Sequence, residues 1–518
     1  MTFPSPLDVG LPDKFHGGWR DGQERIIQDS LSSPRRFTAQ SVPTGGGKTI
    51  CYITSAIMHG GRAIILTGTK GLQDQIEREF GDIVVMMKGQ SAYKCRINFQ
   101  SCQHGPCHWG YGCALKEKGC LYYDQIKKGK EAQIVVTNYS FWLANPQNPL
   151  GDFDYMICDE SHDSAEYLLD SQSVSFSKRE VEQYLPMLVS DSNMGVAIEW
   201  VRILGGLVSE KAKRLKNSGD TESPEAVNTL NLGTRVNRLL EKVDGVNWVV
   251  EREDGRLSFD PIWPSTMAEH YLFRNIGKVL MTSATLSTKT MDLLGLYPKD
   301  FLFTNYPSKF HKIRRPVIYV PTVRMDFRLS NAGMSQWITM MDNIIRDRIN
   351  KKGIIHTVSY DRCKRVMNIS NNNQYMVTHD TKGTRDAVER FKRRSEPCIL
   401  VSPSMVTGWD FPDDQCRWQI LGKIPFPDAR SKVMQARAKI DPDYGCYLAM
   451  QNVIQACGRG MRSPSDYCET FIIDDHWAWF QDKYKGLMPV YFRESLKMCR
   501  TIPTPIWEGK GDMERMSR

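Results

Sequence analysis

The sequence predicts an α/β protein with two parallel-sheet domains, the first interrupted by a cysteine-rich segment and a mainly helical insertion. Three observations predict it. A glycine-rich loop, Val42-Pro43-Thr44-Gly45-Gly46-Gly47-Lys48-Thr49, is followed by an apolar helical run over residues 50–58. Short continuous apolar stretches at 63–67, 134–139, 155–159 and 279–286 each lead into a polar turn, the pattern of strands buried on both faces. A second set, at 354–360, 399–402 and 472–475, marks a new α/β domain from about residue 314.

The chain has 518 residues, enough for several domains with ample core. It contains no low-complexity tract or fixed-period repeat, and no apolar segment approaches the roughly 20 residues needed to cross a bilayer. Residues 1–14 are polar and proline-bearing, without the charged-then-apolar layout of a signal peptide, so an intracellular protein with no membrane partner is expected. The net charge of +9 permits a nucleic-acid partner without demanding one, because a basic groove can hide in a nearly balanced total. A generically basic soluble protein would carry the same charge. Cysteine is more informative. Of 14, five (Cys95, Cys102, Cys107, Cys113 and Cys120) fall between residues 95 and 120, where an even spread would put fewer than one. In a reducing compartment such a group argues for a metal or iron–sulfur centre rather than disulfides.

The glycine loop carries the first chemistry. Thr44, Gly45, Gly46 and Gly47 let backbone N–H groups surround phosphate oxygens, Lys48 supplies a charge to the β- and γ-phosphates, and the Thr49 hydroxyl can ligate Mg²⁺. Just upstream, Phe15, Arg20 and Gln23 are suited to an adenine edge, and equally to the polar side of an ordinary amphipathic helix. After the 63–67 strand, Thr67-Gly68-Thr69-Lys70 and Gly71-Leu72-Gln73-Asp74-Gln75 could hold a sugar–phosphate backbone or simply start a surface helix.

Within residues 90–125 the cysteine gaps are six, four, five and six residues, with no C-x₂-C pair. That disfavours a zinc ribbon and suits thiolates converging on a cubane from separate turns. Tyr93, Phe99, Trp109, Tyr111, Tyr122 and Tyr123 alternate with Lys94, Arg96, Lys116, Lys118, Lys127 and Lys128. They read either as a platform for stacking single-stranded bases or as a miniature core of the stapled loop. In Tyr155-Met156-Ile157-Cys158-Asp159-Glu160-Ser161-His162, a buried strand delivers two carboxylates to its carboxyl end. Asp159 is placed to hold Mg²⁺ and Glu160 to orient or deprotonate an attacking water.

Residues 163–270 read as an insertion. Ser177-Lys178-Arg179-Glu180 is a capping box, residues 196–215 are helical with Lys211, Lys213, Arg214 and Lys216 at the end, and Ser223-Pro224-Glu225 starts another helix. Leu232, Val236, Leu239, Leu240 and Val243 form its apolar stripe, and a hairpin turns at Asp254-Gly255. In the second domain, residues 407–412 form a tight polar turn. Helical spacing over Gln455-Ala456-Cys457-Gly458-Arg459-Gly460-Met461-Arg462 would put Gln455, Arg459 and Arg462 on one face, where two arginines could stabilise charge on a transferring γ-phosphoryl group.

In order, the motifs PTGGGKT, TGTKGLQDQ, TNY, DESH, TSATL, VTGWDFP and QACGRGMR resemble those of the superfamily 2 helicases. The combination, spanning about residues 20–475, is similar to the XPD/DinG-like iron–sulfur helicases, particularly their compact bacterial and phage-type members. The resemblance implies two RecA-like domains, the first interrupted by an iron–sulfur module and an Arch insertion. Helicase domain 1 would comprise 1–89, 126–162 and 271–313, the cluster module 90–125, the Arch-like insertion 163–270 and helicase domain 2 residues 314–518. It also implies ATP, Mg²⁺ and a [4Fe-4S] cluster as cofactors. Arg20, Gln23, Gly408 and Asp410 would join the loop in holding nucleotide, and Lys48, Asp159, Glu160, Gln455, Arg459 and Arg462 would act in hydrolysis. The cluster ligands would be Cys95, Cys107, Cys113 and Cys120, with Cys102 spare. Ser161 stands where the family commonly has alanine, Leu121 replaces a proline, and five cysteines stand where the family uses four.

The expectation is therefore a cytoplasmic monomer, in a bacterial or phage-infected cell, that hydrolyses ATP, moves 5′→3′ on single-stranded DNA and unwinds tailed or forked duplexes in repair or replication. The alternatives are an ATP-switched nucleic-acid remodelling protein without strand separation, and a redox sensor whose cluster governs DNA binding.

Overall fold

The computed structural model describes residues 3–189, 193–245, 247–380, 383–403, 409, 411–461 and 466–508. Strands of the first half are β1 (Phe37–Ser41), β2 (Ala63–Thr67), β3 (Val85–Met86), β4 (Ile134–Asn138) and β5 (Tyr155–Asp159). Then come β6 (Val174–Ser177), β7 (Trp248–Glu253), β8 (Arg256–Pro261), β9 (Lys278–Ser283) and β10 (Phe301–Asn305). The second half contributes β11 (Val317–Val323), β12 (Gly353–His356), β13 (Met376–Val377), β14 (Ile399–Ser402), β15 (Trp418–Leu421), β16 (Glu469–Asp474) and β17 (Leu496–Met498).

Two parallel seven-stranded sheets form, ordered β10-β1-β9-β5-β2-β4-β3 and β13-β14-β12-β15-β16-β11-β17. The first order positions the site. β9 lies between β1 and β5, with Ser41 level with Ser283 and Asp159 level with Thr282. The carboxyl ends of three neighbouring strands therefore bring the glycine loop, the hydroxyl turn and the acidic pair to one edge, where parallel sheets bind ligands. β1 had no apolar run to announce it. Thr38, Gln40 and Ser41 interrupt the pattern, yet all five residues are buried. The Gln40 amide is satisfied there by the Ile26 carbonyl and the Tyr306 hydroxyl.

Between β5 and β9 the chain builds an antiparallel sheet, β6-β8-β7, under helices Met194–Asn217 and Pro224–Leu240. The expected hairpin is thus three-stranded. Its core includes Phe176, Val201, Leu204, Val236, Leu239, Leu257 and Phe259. Ser177 and Glu180 make both bonds of the capping box, and Ser223 caps the second long helix. Lys211 is paired with Glu225 and Arg214 with Glu210, so two of the four basic residues at the helix end are engaged in ion pairs.

The second sheet carries a fully buried ion pair, Arg348 Nε to Glu469 Oε2 at 2.6 Å. Arg348 also donates to the Pro503 carbonyl, and Glu469 accepts from Ile506 N, which satisfies both charges and fastens the segment after β17. Helix Tyr444–Cys457 ends at Cys457 rather than running on through Arg462. Gly458 and Gly460 follow, and glycine is a poor helix former. Among the described residues, no helix is long and apolar enough to cross a membrane.

Candidate active site

The glycine loop leaves β1 and enters helix Lys48–His59, so free N–H groups sit at a helix N-terminus. Gly45 and Gly47 have φ of +82° and +74°, and both are crowded as well. A Cβ on Gly45 would meet the Phe310 ring at 2.2 Å, and one on Gly47 would meet Gln23 Nε2 at 2.3 Å. Gln23, buried, accepts from Arg20 N with its other amide atom, so the residue lies against the phosphate loop. The Arg20 side chain is exposed. Phe15 is turned away, stacked on Phe80 with centroids 5.1 Å apart. Thr44 lines a small pocket at the domain boundary with Phe310, Arg315, Met461 and Tyr491.

Lys48 Nζ donates to Glu160 Oε1 at 3.0 Å. Asp159 is 2% exposed. Its Oδ1 accepts from Glu160 N at 2.9 Å, and its Oδ2 from the Tyr52 hydroxyl at 3.2 Å. Burial, and then the neighbouring Glu160 charge, push the Asp159 carboxyl well above the usual range. Burial would raise Glu160 too, but Lys48, His162 and Ser283 outweigh it and hold that carboxyl low.

From Glu160 a chain of hydrogen bonds reaches the second domain. The Ser283 hydroxyl donates to Glu160 Oε2 at 3.2 Å and lies 2.7 Å from His162 Nδ1. His162 Nε2 is 3.0 Å from Gln455 Nε2, which also donates to Thr285 Oγ1 at 2.9 Å. Gln455, His162, Ser283 and Glu160 thus form one connected path, and Asp163 Oδ2, 3.2 Å from His162 Nε2, holds the imidazole from the side. Two tyrosines reinforce the junction. Tyr447 donates to the His162 carbonyl at 3.3 Å, and Tyr491 to the Ala284 carbonyl at 3.1 Å.

Gln455 and Arg459 do not share a face, because the helix has ended between them. Gln455 points to the first domain, whereas Arg459 is buried with Nη1 donating to the Trp409 carbonyl at 2.9 Å. Arg462, Gly408 and Asp410 lie outside the described residues. The sequence reading also missed Tyr52, Tyr447, Tyr491 and Phe310. The available signal was a tyrosine within an apolar helical run, since a buried phenol requires a partner.

All five cysteines of 95–120 line one pocket, Cys102 included, together with Gln90, Tyr122 and Tyr123. Cys102 is the buried one, and the other four are partly exposed. Burial, then Cys120, Cys95 and Cys107, push its thiol up to about 12. Among the described residues no three His, Cys, Asp or Glu side chains surround a single metal-sized point. A short antiparallel bridge, Lys94 to Ser101, holds Cys95 and Cys102 on one small hairpin. Trp109 and Tyr122 are buried, and Tyr93 packs edge-on against Tyr122, which belongs to the first domain's main core rather than to a separate miniature one. Phe99 is 70% exposed. Tyr111 donates to the Lys216 carbonyl, joining the module to the helical insertion. Gln73 is buried, donating to the Met87 carbonyl and accepting from Asn138 Nδ2, and so faces the core rather than a ligand.

Residues 20–180 match the DEAD/DEAH box helicase family, and residues 344–495 match the helicase C-terminal domain. No match was found among curated protein sequences. Among solved structures, the one titled "XPD_Helicase" is similar over 93% of this chain and 100% of its own, at 14% identity and a TM-score of 0.66. "XPD_APO" gives 13% identity and 0.63 over the same shares, and S. tokodaii Xpd4 gives 14% and 0.60. At such identities the likeness is one of fold.

Proposed function

We propose that this chain, which has the fold of the XPD helicases and carries a DEAD/DEAH box helicase segment and a helicase C-terminal segment, is an ATP-dependent helicase that translocates 5′→3′ on single-stranded DNA and unwinds duplex DNA. The observation that carries the reading is the hydrogen-bonded path from Gln455 through His162 and Ser283 to Glu160 and Lys48. Through it, any opening or closing between the domains reaches the acidic pair. ATP hydrolysis and domain motion are then coupled, as a motor requires.

In this reading Lys48 exchanges Glu160 for the β- and γ-phosphates, which frees Glu160 to orient or deprotonate the attacking water. Thr49 and Asp159 would hold Mg²⁺. The donor set fits, since a buried carboxylate pushed toward its neutral form is relieved by a divalent cation. When bound, the ion would neutralise phosphate charge. Arg459, once released from the Trp409 carbonyl, and Arg462 would stabilise the transferring phosphoryl group, while Arg20, Gln23, Gly408 and Asp410 would complete the nucleotide site.

Residues 90–125 are read as the iron–sulfur module and 163–270 as the Arch-like insertion. Five thiols lining one pocket support the cluster reading. The cluster would supply a rigid crosslink. Phe99, exposed beside Lys94, is the ring best placed to stack a base. Strand displacement from 5′-tailed duplex DNA, read beside ATP turnover, tests the reading. Wild type should displace strand only with ATP and Mg²⁺, and Glu160→Gln should bind ATP with neither turnover nor displacement. DNA-stimulated turnover without displaced strand would leave an ATP-switched binding protein instead.

A further inference from the structure

Tyr52 lies one turn beyond Lys48 on the helix that follows the phosphate loop, and it is 1% exposed. A phenol buried this deeply needs partners for its hydroxyl. It finds one on β5, donating to Asp159 Oδ2 at 3.2 Å. The other carboxylate oxygen is held by Glu160 N, and the Asp159 carbonyl accepts from Tyr139 at 3.0 Å. The aspartate is thus fixed from both sides and along its backbone.

We propose that Tyr52 is a positioning residue for the divalent cation, fastening Asp159 on β5 to the helix that begins at Lys48 so that the carboxylate is held ready as a ligand. The inference rests on the nucleotide reading above. Mg²⁺ demands near-octahedral geometry at short distances and tolerates little ligand rotation. Partners that orient a ligating carboxylate are typically worth 10–100-fold in metal affinity. A tyrosine serving only as core would instead contribute to folding and leave the metal indifferent to its hydroxyl.

The test uses the full-length protein with Mn²⁺ as the probe, its binding to the ADP complex followed by electron paramagnetic resonance. Tyr52→Phe, which removes one oxygen, should weaken Mn²⁺ about 10–100-fold while leaving metal-free ADP affinity unchanged. Tyr155→Phe, in the same apolar cluster but away from the carboxylate, should leave both unchanged. Tyr52→Gln, which returns a donor, should recover part of the lost affinity. It also carries the test should the phenylalanine variant not fold. Equal Mn²⁺ affinity in wild type and folded Tyr52 variants would overturn the inference, as would an equal loss of metal-free ADP binding, which would make the residue structural. Absence of nucleotide-dependent Mn²⁺ binding in wild type would instead overturn the nucleotide reading itself.

Discussion

Asp159 and Glu160 are adjacent, yet their surroundings drive them apart. Asp159 is enclosed, whereas Glu160 keeps about a third of its side chain exposed and faces Lys48. Because the Asp159 carboxyl is raised in the folded state, its contribution to stability is fully present below the unfolded carboxylate value, roughly pH 4. It is lost as pH climbs toward neutrality through the folded value. Metal-free protein should therefore lose thermal stability over that rise, and Asp159→Asn should melt higher than wild type at neutral pH while failing to bind metal. Thermal unfolding across pH without divalent ions checks both. Gln455→Ala deletes two bonds at the domain junction, and turnover with DNA should fall about tenfold at unchanged ATP affinity. Steady-state kinetics beside nucleotide titration would read this split. That Lys48, Asp159, Glu160 and Gln455 meet at one place was legible in the sequence from residue type and motif spacing. Tyr52, Tyr447 and Tyr491 were not, since their partners are fixed by strand register and interdomain packing.

Elements were legible where local signals agreed. Ala63–Thr67 and Ile399–Ser402 are continuous apolar runs, and Ser177 with Glu180 announced a helix start that forms as read. Ser177→Ala should cost about 1 kcal/mol. The loss should appear as easier local opening of residues 174–181 in hydrogen exchange, with ATP turnover intact. Where signals conflicted, tertiary context decided. β1 is a polar-interrupted strand held by two neighbours and by partners for Gln40. The arginine segment was drawn as helix from its spacing, but glycines at 458 and 460 stop it, and Arg459 turns to the Trp409 carbonyl. Periodicity cannot register a break made by residues that lie within its own repeat.

At the scale of the molecule, the order of motifs along the chain foretold two sheets and two interruptions, but not how the interruptions are braced. Arg437, on helix Lys432–Ile440, donates to the Pro261 and Ile262 carbonyls at the end of β8, so the inserted sheet leans on the second domain. The iron–sulfur reading proposed above, with the ligand set its family resemblance implies, makes the corresponding prediction for the module. Serine at Cys95, Cys107, Cys113 or Cys120 should remove iron and abolish strand separation while sparing basal ATP turnover. Cys102→Ser should keep its iron. Iron titration with parallel ATPase and unwinding assays on the five variants decides the ligand set, and the enclosed position of Cys102 makes that variant the sharpest member of the series. Finally, β9, which lies between β1 and β5 in the first sheet, is synthesised long after both, since residues 163–270 must be made between β5 and β9. At about 5–20 residues per second, the glycine loop and the acidic pair would wait on the order of ten seconds on the ribosome, unaligned, until residues 278–283 slot between them. Nucleotide binding would then be a late event in the life of the nascent chain, gated by the folding of a segment that holds none of its ligands.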